Sequence, residues 1–322
     1  MAEGSEIAAA LKRRALALGF DDARIGPASV LEADGERFLE WLGRGRHGEM
    51  EYLAADAAAR FDSARHVPGA RSVLALAASY YRGDAGAAPA SESGRVARYA
   101  WGRDYHRLLG LKLRELKAEL GRLAPGARVR SFVDSSPLLE RAFAARAGLG
   151  FIGKNTMLIN RKLGSWTVLA IILTDLDLPV DAIDSGDCGR CTLCLDACPT
   201  GAFPRAYELD ATRCISYWTI EAHAEPPPEL AARFGDWVFG CDVCQEVCPY
   251  NHRPLDAAPG ERFAAVRAAG PWVDTGALLA LDAASFKRRF RRTPFTRPGL
   301  ERMARNARIA RANRDRSPTR EG

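Results

Sequence analysis

Eight cysteines lie between positions 188 and 248 of this 322-residue chain, and their spacing points to their chemistry. The first block, Cys188, Cys191, Cys194 and Cys198 followed by Pro199, reads C-x2-C-x2-C-x3-C-P. In two-cluster ferredoxins the first three thiolates of such a run hold one [4Fe–4S] cluster while the fourth crosses to the other. The second block contributes Cys241, Cys244 and Cys248 followed by Pro249, and Cys214 supplies its missing early member. Cross-ligation then assigns Cys188, Cys191, Cys194 and Cys248 to cluster one. Cys198, Cys214, Cys241 and Cys244 go to cluster two, and no cysteine is left over. Paired C-x2-C motifs also build four-thiolate zinc sites, but the close triple and the two prolines match the ferredoxin pattern. Disulfides are disfavoured in a chain whose first residues show no apolar secretion segment.

Two neighbouring clusters conduct electrons and imply an acceptor at the end of the path. A ferredoxin needs only about the residues from 180 to 255, so the preceding stretch must do other work. Asp134, in Ser131-Phe-Val-Asp134-Ser-Ser-Pro, follows an apolar run and precedes a helix start, a junction where catalytic groups are commonly placed. A carboxylate there also has a plainer use, favouring the helix N-terminus. Asp104-Tyr-His106-Arg-Leu-Leu109 approaches the D-x-H-x-x-G pattern of proteins that ligate cobalt through histidine, but Leu109 stands where the glycine belongs. His106 is therefore read as a pocket or substrate contact, or as a surface histidine.

The elements that position these groups follow from periodicity. Ile7, Leu11, Ala15 and Leu18 recur at helical spacing and stop at Gly19, and a second helix holds Phe38, Leu39 and Trp41. Residues 72–80 read as a buried strand, and 82–94 has the Gly, Ala, Ser and Pro content of a loop. Leu108, Leu109, Leu113, Leu116 and Leu120 stripe a helix over 104–120. Residues 129–133 read as a strand, and 137–147 as a helix with Ser136 as N-cap and Pro137 at its first position. Residues 157–160 and 165–175 read as strands joined in a hairpin near 162–164. The segment 278–313 reads as helical, with Leu300, Met303, Ala307 and Ala310 on one face and Arg302, Arg305, Arg308 and Arg311 mostly outside it. Intermixed helices and strands up to 178 imply a layered α/β or α+β domain, followed by a cluster domain over 179–255 and a helical segment over 256–322.

With 47% hydrophobic residues the chain can bury a sizeable core. Its longest apolar run, 166–173, falls far short of the roughly 20 residues a membrane span needs. The net charge of +6 is unevenly distributed: residues 287–322 hold 13 Lys and Arg against 3 acidic residues. A basic tail on a slightly acidic body is the footprint of a polyanion partner, or else a solubilising tail.

Several stretches together are similar to the epoxyqueuosine reductases. They are the Asp134 segment through Glu140-Arg141 to Gly150-Phe-Ile-Gly153-Lys154-Asn155-Thr156, Cys214-Ile-Ser-Tyr217-Trp-Thr-Ile-Glu221, Gly240-Cys-Asp-Val-Cys-Gln-Glu-Val-Cys-Pro-Tyr-Asn251 and Arg98-Tyr-Ala-Trp-Gly-Arg-Asp-Tyr-His106. The likeness runs over nearly the whole chain and is far more specific than the cysteine pattern. It implies an α+β fold: a nitroreductase-like cobalamin-binding domain over 1–178, a ferredoxin-like domain with two [4Fe–4S] clusters over 179–255, and the basic helical segment over 256–322. It also implies a cytoplasmic oxidoreductase that reduces epoxyqueuosine to queuosine at the tRNA wobble position, with electrons passing through the clusters to cobalamin.

The resemblance carries roles to particular residues. Asp134 becomes the proton donor to the departing oxygen, a role that requires burial against cofactor and substrate to lift its pKa above the ordinary value of about 3.9. Arg60, Ala97, Asp134, Lys154, Asn155, Met157, Leu158, Ser216, Asp242 and Val243 become cobalamin-pocket residues. The wording around Arg60, Ala-Arg-Phe-Asp, departs from the family's Arg-x-Asp-Pro. Thr219 and His223, beside Tyr217, become anticodon neighbours. Apart from the resemblance, Lys287, Arg288, Arg289, Arg291 and Arg292 read as contacts to tRNA phosphates, and the interleaved Phe286, Phe290 and Phe295 read either as base-stacking groups or as core. A low-potential electron donor and a monomeric state complete the expectation. The competing readings are a corrinoid reductase of another substrate, resembling the reductive dehalogenases, and a non-catalytic electron carrier.

Overall fold

Every residue of strand β2 (Ser72–Ser79) is buried, and the rest of its domain is built around it. In the computed structural model, which describes residues 2–89, 92–252, 263 and 270–316, β2 lies between β1 (Asp22–Pro27) and β7 (Thr167–Thr174). With β4 (Val129–Phe132) these form a four-stranded antiparallel sheet in the order β1-β2-β7-β4. Side chains alternate across a strand, so β2 serves two cores. Leu74, Leu76 and Ala78 pack with Ile7, Leu11 and Ala15 of α1 (Ala2–Ala17) and with Leu109, Leu113, Leu116 and Leu120 of α3 (Tyr105–Leu123). Val73, Ala75 and Ala77 face Phe143 and Ala144 of α4 (Glu140–Arg146) on the other side. Helix α2 (Glu32–Gly43) and the short pair β5 (Phe151–Ile152) and β6 (Leu158–Ile159) complete this part. Helices on both faces of an antiparallel sheet make the α+β class observed.

Four short helical turns punctuate the cysteine region: α5 (Leu193–Asp196), α6 (Ile215–Ile220), α7 (Pro228–Ala231) and α8 (Val243–Glu246). Beyond it come α9 (Thr275–Leu279), α10 (Ala283–Phe290) and α11 (Gly299–Arg316). A second sheet, ordered β8-β3-β9, takes β3 (Ser93–Val96), β8 (Trp237–Phe239) and β9 (Trp272–Asp274). It thus draws one strand from each of the three stretches divided at 178/179 and 255/256. Among the described residues no helix is long and apolar enough to cross a membrane.

Four expectations need correction. The loop expected over 82–94 ends in β3: Gly94 packs so closely that a Cβ would meet Val238 Cγ1 at 2.4 Å, so its glycine marks an interior approach rather than a turn. Helix α4 starts at Glu140, not Pro137, because Asp134 takes a left-handed φ of 53° and Leu139 N donates to Arg60 O at 2.7 Å, which holds the chain off the helical path. The 157–160 strand pairs with β5 rather than making a hairpin with β7; only the bridge Asn160↔Gly164 marks the turn. Phe286, Phe290 and Phe295 are core residues packed with Met303 and Ala307, which removes them as base-stacking groups.

Candidate active site and cluster-binding region

None of the eight cysteines is in a disulfide, and their mutual charge effects sort them into two groups. Burial pushes the Cys194 thiol up, and Cys188, Cys248 and Cys191 add to it. Cys248 is raised by burial and then by Cys188 and Cys191. In the other group burial raises Cys214, Cys241 and Cys244, reinforced by Cys198 at Cys214 and by Cys214 at both Cys241 and Cys244. Cys194 also acts on Cys244, so the groups adjoin. Four crowded, partly buried thiols ionise together only against a multivalent metal core, so this donor set fits an iron–sulfur cluster. Among the described residues no three His, Cys, Asp or Glu side chains are placed to hold a single metal ion. Backbone amides also point at the sulfurs: Lys154 N lies 3.4 Å from Cys188 Sγ, and Ala202 N lies 3.3 Å from Cys198 Sγ.

Asp134 stands at the end of β4 with its side chain 64% exposed. Tyr105 donates its hydroxyl to Asp134 Oδ2, and His106 Nε2 lies 3.7 Å from the same oxygen. Asp104 caps α3 by accepting His106 N at 2.9 Å, and its Oδ1 also lies 2.7 Å from His106 Nδ1. The Tyr105 and His106 rings stack at 4.2 Å. Behind them Glu140 Oε1 accepts Asp134 N at 2.7 Å. Crowding works to raise the Asp134 carboxyl, but His106 and Tyr105 outweigh it and hold the group below its ordinary range. The protons sit on its neighbours: burial opposes the His106 imidazolium, yet Asp104 and Asp134 push it up to about 9, and burial pushes Glu140 up to about 8.

A polar path joins this site to the cysteines. Arg141, next to Glu140, donates to Thr156 O at 2.5 Å and approaches Met157 Sδ at 4.0 Å. Asn155 accepts Met157 N at 3.2 Å and donates to Cys244 O at 3.3 Å. Lys154 Nζ donates to Gly189 O and Cys191 O at 2.8 and 2.9 Å. From the other side Ala97 N donates to Phe239 O at 2.8 Å, and a Cβ on Gly240 would meet Ala97 Cβ at 2.6 Å. Asp242, buried and pushed up to about 6, accepts Arg98 N at 2.6 Å. Val243 opens α8, Ser216 lies in α6 two residues after Cys214, and Leu158 is buried in β6. Arg60 stands apart: its guanidinium donates to Leu53 O and Tyr52 O, while its main-chain oxygen accepts Leu139 N at 2.7 Å.

The RNA candidates divide. Lys287, Arg288, Arg289, Arg291 and Arg292 are all exposed, as is His223. Thr219 is fully buried, donating to Ile215 O and accepting Gly240 N at 2.9 Å, and is removed as an RNA contact because it has no surface to offer. Sequence reasoning missed Arg297, which grips Glu221 through two 2.8 Å bonds, lies 5.5 Å from the Tyr52 ring and acts on Asp134. These groups come from distant segments, and no local motif announces them.

Fold and site together define an iron–sulfur oxidoreductase in which a double-cluster region abuts an α+β domain bearing a carboxylate–histidine pair. A profile described as "4Fe-4S double cluster binding domain" matches residues 187–251, and another described as "Epoxyqueuosine reductase QueG, DUF1730" matches 60–135. The epoxyqueuosine reductase of Pseudomonas aeruginosa is 41% identical over 317 residues, covering 96% of this chain and 86% of the relative. That of Gloeobacter violaceus is 40% identical over 307 residues, covering 94% and 95%. A solved epoxyqueuosine reductase bound to an epoxyqueuosine-modified tRNA-Tyr stem loop superposes with a TM-score of 0.88 at 31% identity, covering 96% of this chain and 82% of that one. Another, from Bacillus subtilis, has its catalytic aspartate loop swung out of the active site (TM-score 0.84, 30% identity, covering 96% and 82%). The chain belongs to the epoxyqueuosine reductase family, and its cysteine region binds [4Fe–4S] clusters.

Proposed function

We propose that this protein reduces epoxyqueuosine to queuosine at the wobble position of tRNA, with cobalamin bound between Asp134 and the cysteine region. The observation that carries this reading is the chain of contacts from Arg141, whose charge acts on Asp134, through the Lys154–Met157 segment to Cys188, Cys191 and Cys244. Cys188, Cys191, Cys194 and Cys248 would hold one cluster and Cys198, Cys214, Cys241 and Cys244 the other, at potentials that such clusters can bring low. Ala97, Lys154, Asn155, Met157, Leu158, Ser216, Asp242 and Val243 would line the cobalamin site. Cobalamin, when bound, supplies the strongly reducing cobalt centre that the epoxide requires. Asp134 delivers the proton to the epoxide oxygen. The exposed cations of α10 and the following loop hold tRNA phosphates, and Tyr52, Arg297 and His223 border the entrance. The protein works in the cytoplasm as a monomer, fed by a separate low-potential donor.

The test is anaerobic single-turnover reduction of epoxyqueuosine tRNA by cluster-reconstituted protein, with and without cobalamin, read by nucleoside mass spectrometry. Wild type is expected to form queuosine only with cobalamin, while Asp134→Ala keeps iron and cobalamin but slows by at least about 100-fold. A wild type that binds clusters and cobalamin, is fully reduced, and leaves the epoxide intact overturns the reading.

A further inference from the structure

Deoxygenating an epoxide to an alkene breaks both carbon–oxygen bonds, forms the double bond, and consumes two electrons and two protons to release water. Asp134 can hold one proton at a time, and Tyr105 and His106 favour its carboxylate form. A second donor must therefore reach Asp134 or the oxygen itself. The groups that face Asp134 are Tyr105, His106, Glu140 and Arg141, with Tyr52, Tyr99 and Arg297 further out. Burial keeps the Tyr105 and Tyr99 phenols protonated far above neutrality, and Arg141 and Arg297 do not release protons near pH 7. Glu140 points its Oε1 at the Asp134 backbone amide, not at the carboxylate.

His106 is differently placed. Its Nε2 faces Asp134 Oδ2 at 3.7 Å while its Nδ1 is held by Asp104 at 2.7 Å, the arrangement that fixes ring orientation and favours the imidazolium. Its side chain is 40% exposed, so it can be recharged from water. We propose that Asp104, His106 and Asp134 form a proton relay in which His106 reprotonates Asp134 within each turnover. His106 first passes its Nε2 proton to Asp134, which gives it to the oxygen as the first carbon–oxygen bond opens, and water recharges His106. His106 Nε2–H then passes its proton to the Asp134 carboxylate, which donates again as water leaves. Both electrons come from the clusters, and both protons come ultimately from solvent. His106 is thus a positioning and proton-supplying residue that acts through Asp134, and the inference rests on the function proposed above.

The experiment is the pH profile of single-turnover queuosine formation by pre-reduced, cobalamin-loaded protein, for wild type, His106→Ala and Asp104→Asn. Wild type is expected to stay fast until the pH passes about 9, where His106 loses its proton. His106→Ala should slow by about 100-fold at pH 8, lose its alkaline plateau by more than two pH units, and recover at least tenfold with added imidazole. Asp104→Asn keeps a good N-cap acceptor for α3 and should only move the alkaline limb toward acid. A His106→Ala protein that binds cobalamin and keeps the wild-type profile overturns the relay. So does one whose loss is equal at every pH and untouched by imidazole, since that marks a merely structural role. If wild type itself forms no queuosine, the function fails rather than the relay.

Discussion

The guanidinium of Arg305, on helix α11, donates to the main-chain oxygen of Trp218, which lies one turn after Cys214. The same side chain donates to Ala222 O and Ala224 O, and neighbouring Asn306 donates to Thr219 O and Val238 O at 2.8 and 2.9 Å. Arg305 is 4% exposed, so α11 clasps the segment that carries Cys214. Arg305→Met would leave several buried carbonyls without donors, at about 1–3 kcal/mol each. The expected loss is about 3 kcal/mol in total, seen as a lowered unfolding midpoint of the holoprotein under anaerobic conditions. A midpoint unchanged within a degree contradicts the clasp.

Cross-ligation makes an unusual demand on Cys248. It lies in the second motif, yet its thiol groups with Cys188, Cys191 and Cys194. Cys248→Ala should therefore disturb the same cluster as Cys188→Ala, and Cys198→Ala the same cluster as Cys241→Ala. Iron content should fall by about half in each case, and the two pairs should lose different electron paramagnetic resonance signals. Signals sorted by sequence block, with Cys248 grouped with Cys241, would refute the assignment.

Lys287, Arg288, Arg289, Arg291 and Arg292 are exposed; among the described residues Arg288 donates to Ser285 Oγ at 2.7 Å and Arg289 lies beside Phe290. Replacing all five by Ser should weaken tRNA binding while moving the unfolding midpoint little. Each charge that meets a phosphate contributes roughly 0.7 to 0.9 to the salt slope of log K. Titrations at several salt concentrations should therefore show a slope shallower by about 3.5 to 4.5 if all five meet phosphates, and an unchanged slope places the RNA elsewhere.

Glu140 links stability to pH. Burial lifts its folded pKa to about 8, above the ordinary value of 4.5. A group raised in the folded state contributes stability that is full below its unfolded pKa and lost as pH climbs through the folded one. Wild-type stability should decline on this account between about pH 5 and 8. Glu140→Gln keeps an acceptor for Asp134 N but cannot ionise, so its denaturation midpoints should be flatter across that window. Parallel curves for the two proteins would show that Glu140 ionises freely.

Much of the fold was legible where one period dominated a stretch. The Leu109 to Leu120 stripe, the apolar run at β2, and the α1 pattern ending at Gly19 each gave an element close to the one observed. Elements defined by long-range pairing were not legible. Ser93 and Gly94 read as the end of a loop because they carry no strand pattern, and with Arg95 and Val96 they become β3 only because β8 and β9 pair with them from some 140 and 180 residues away. Arg305 looked like one more cation outside the apolar face of α11, until carbonyls from another segment surrounded it.

The order of residues alone decided which atoms are available: eight thiols in two interlocking motifs, a carboxylate at Asp134, an imidazole two residues after Asp104, and a cationic tail. Motif spacing survives into the structure because the cysteines sit on short turns whose geometry is local. Folding decided what state those atoms are in. Whether Asp134 or His106 holds the proton, which arginines remain free for phosphate, and whether Thr219 has any surface depend on desolvation and on charges a few ångströms away. Those distances are set by packing between segments far apart in the chain, so no local pattern encodes them.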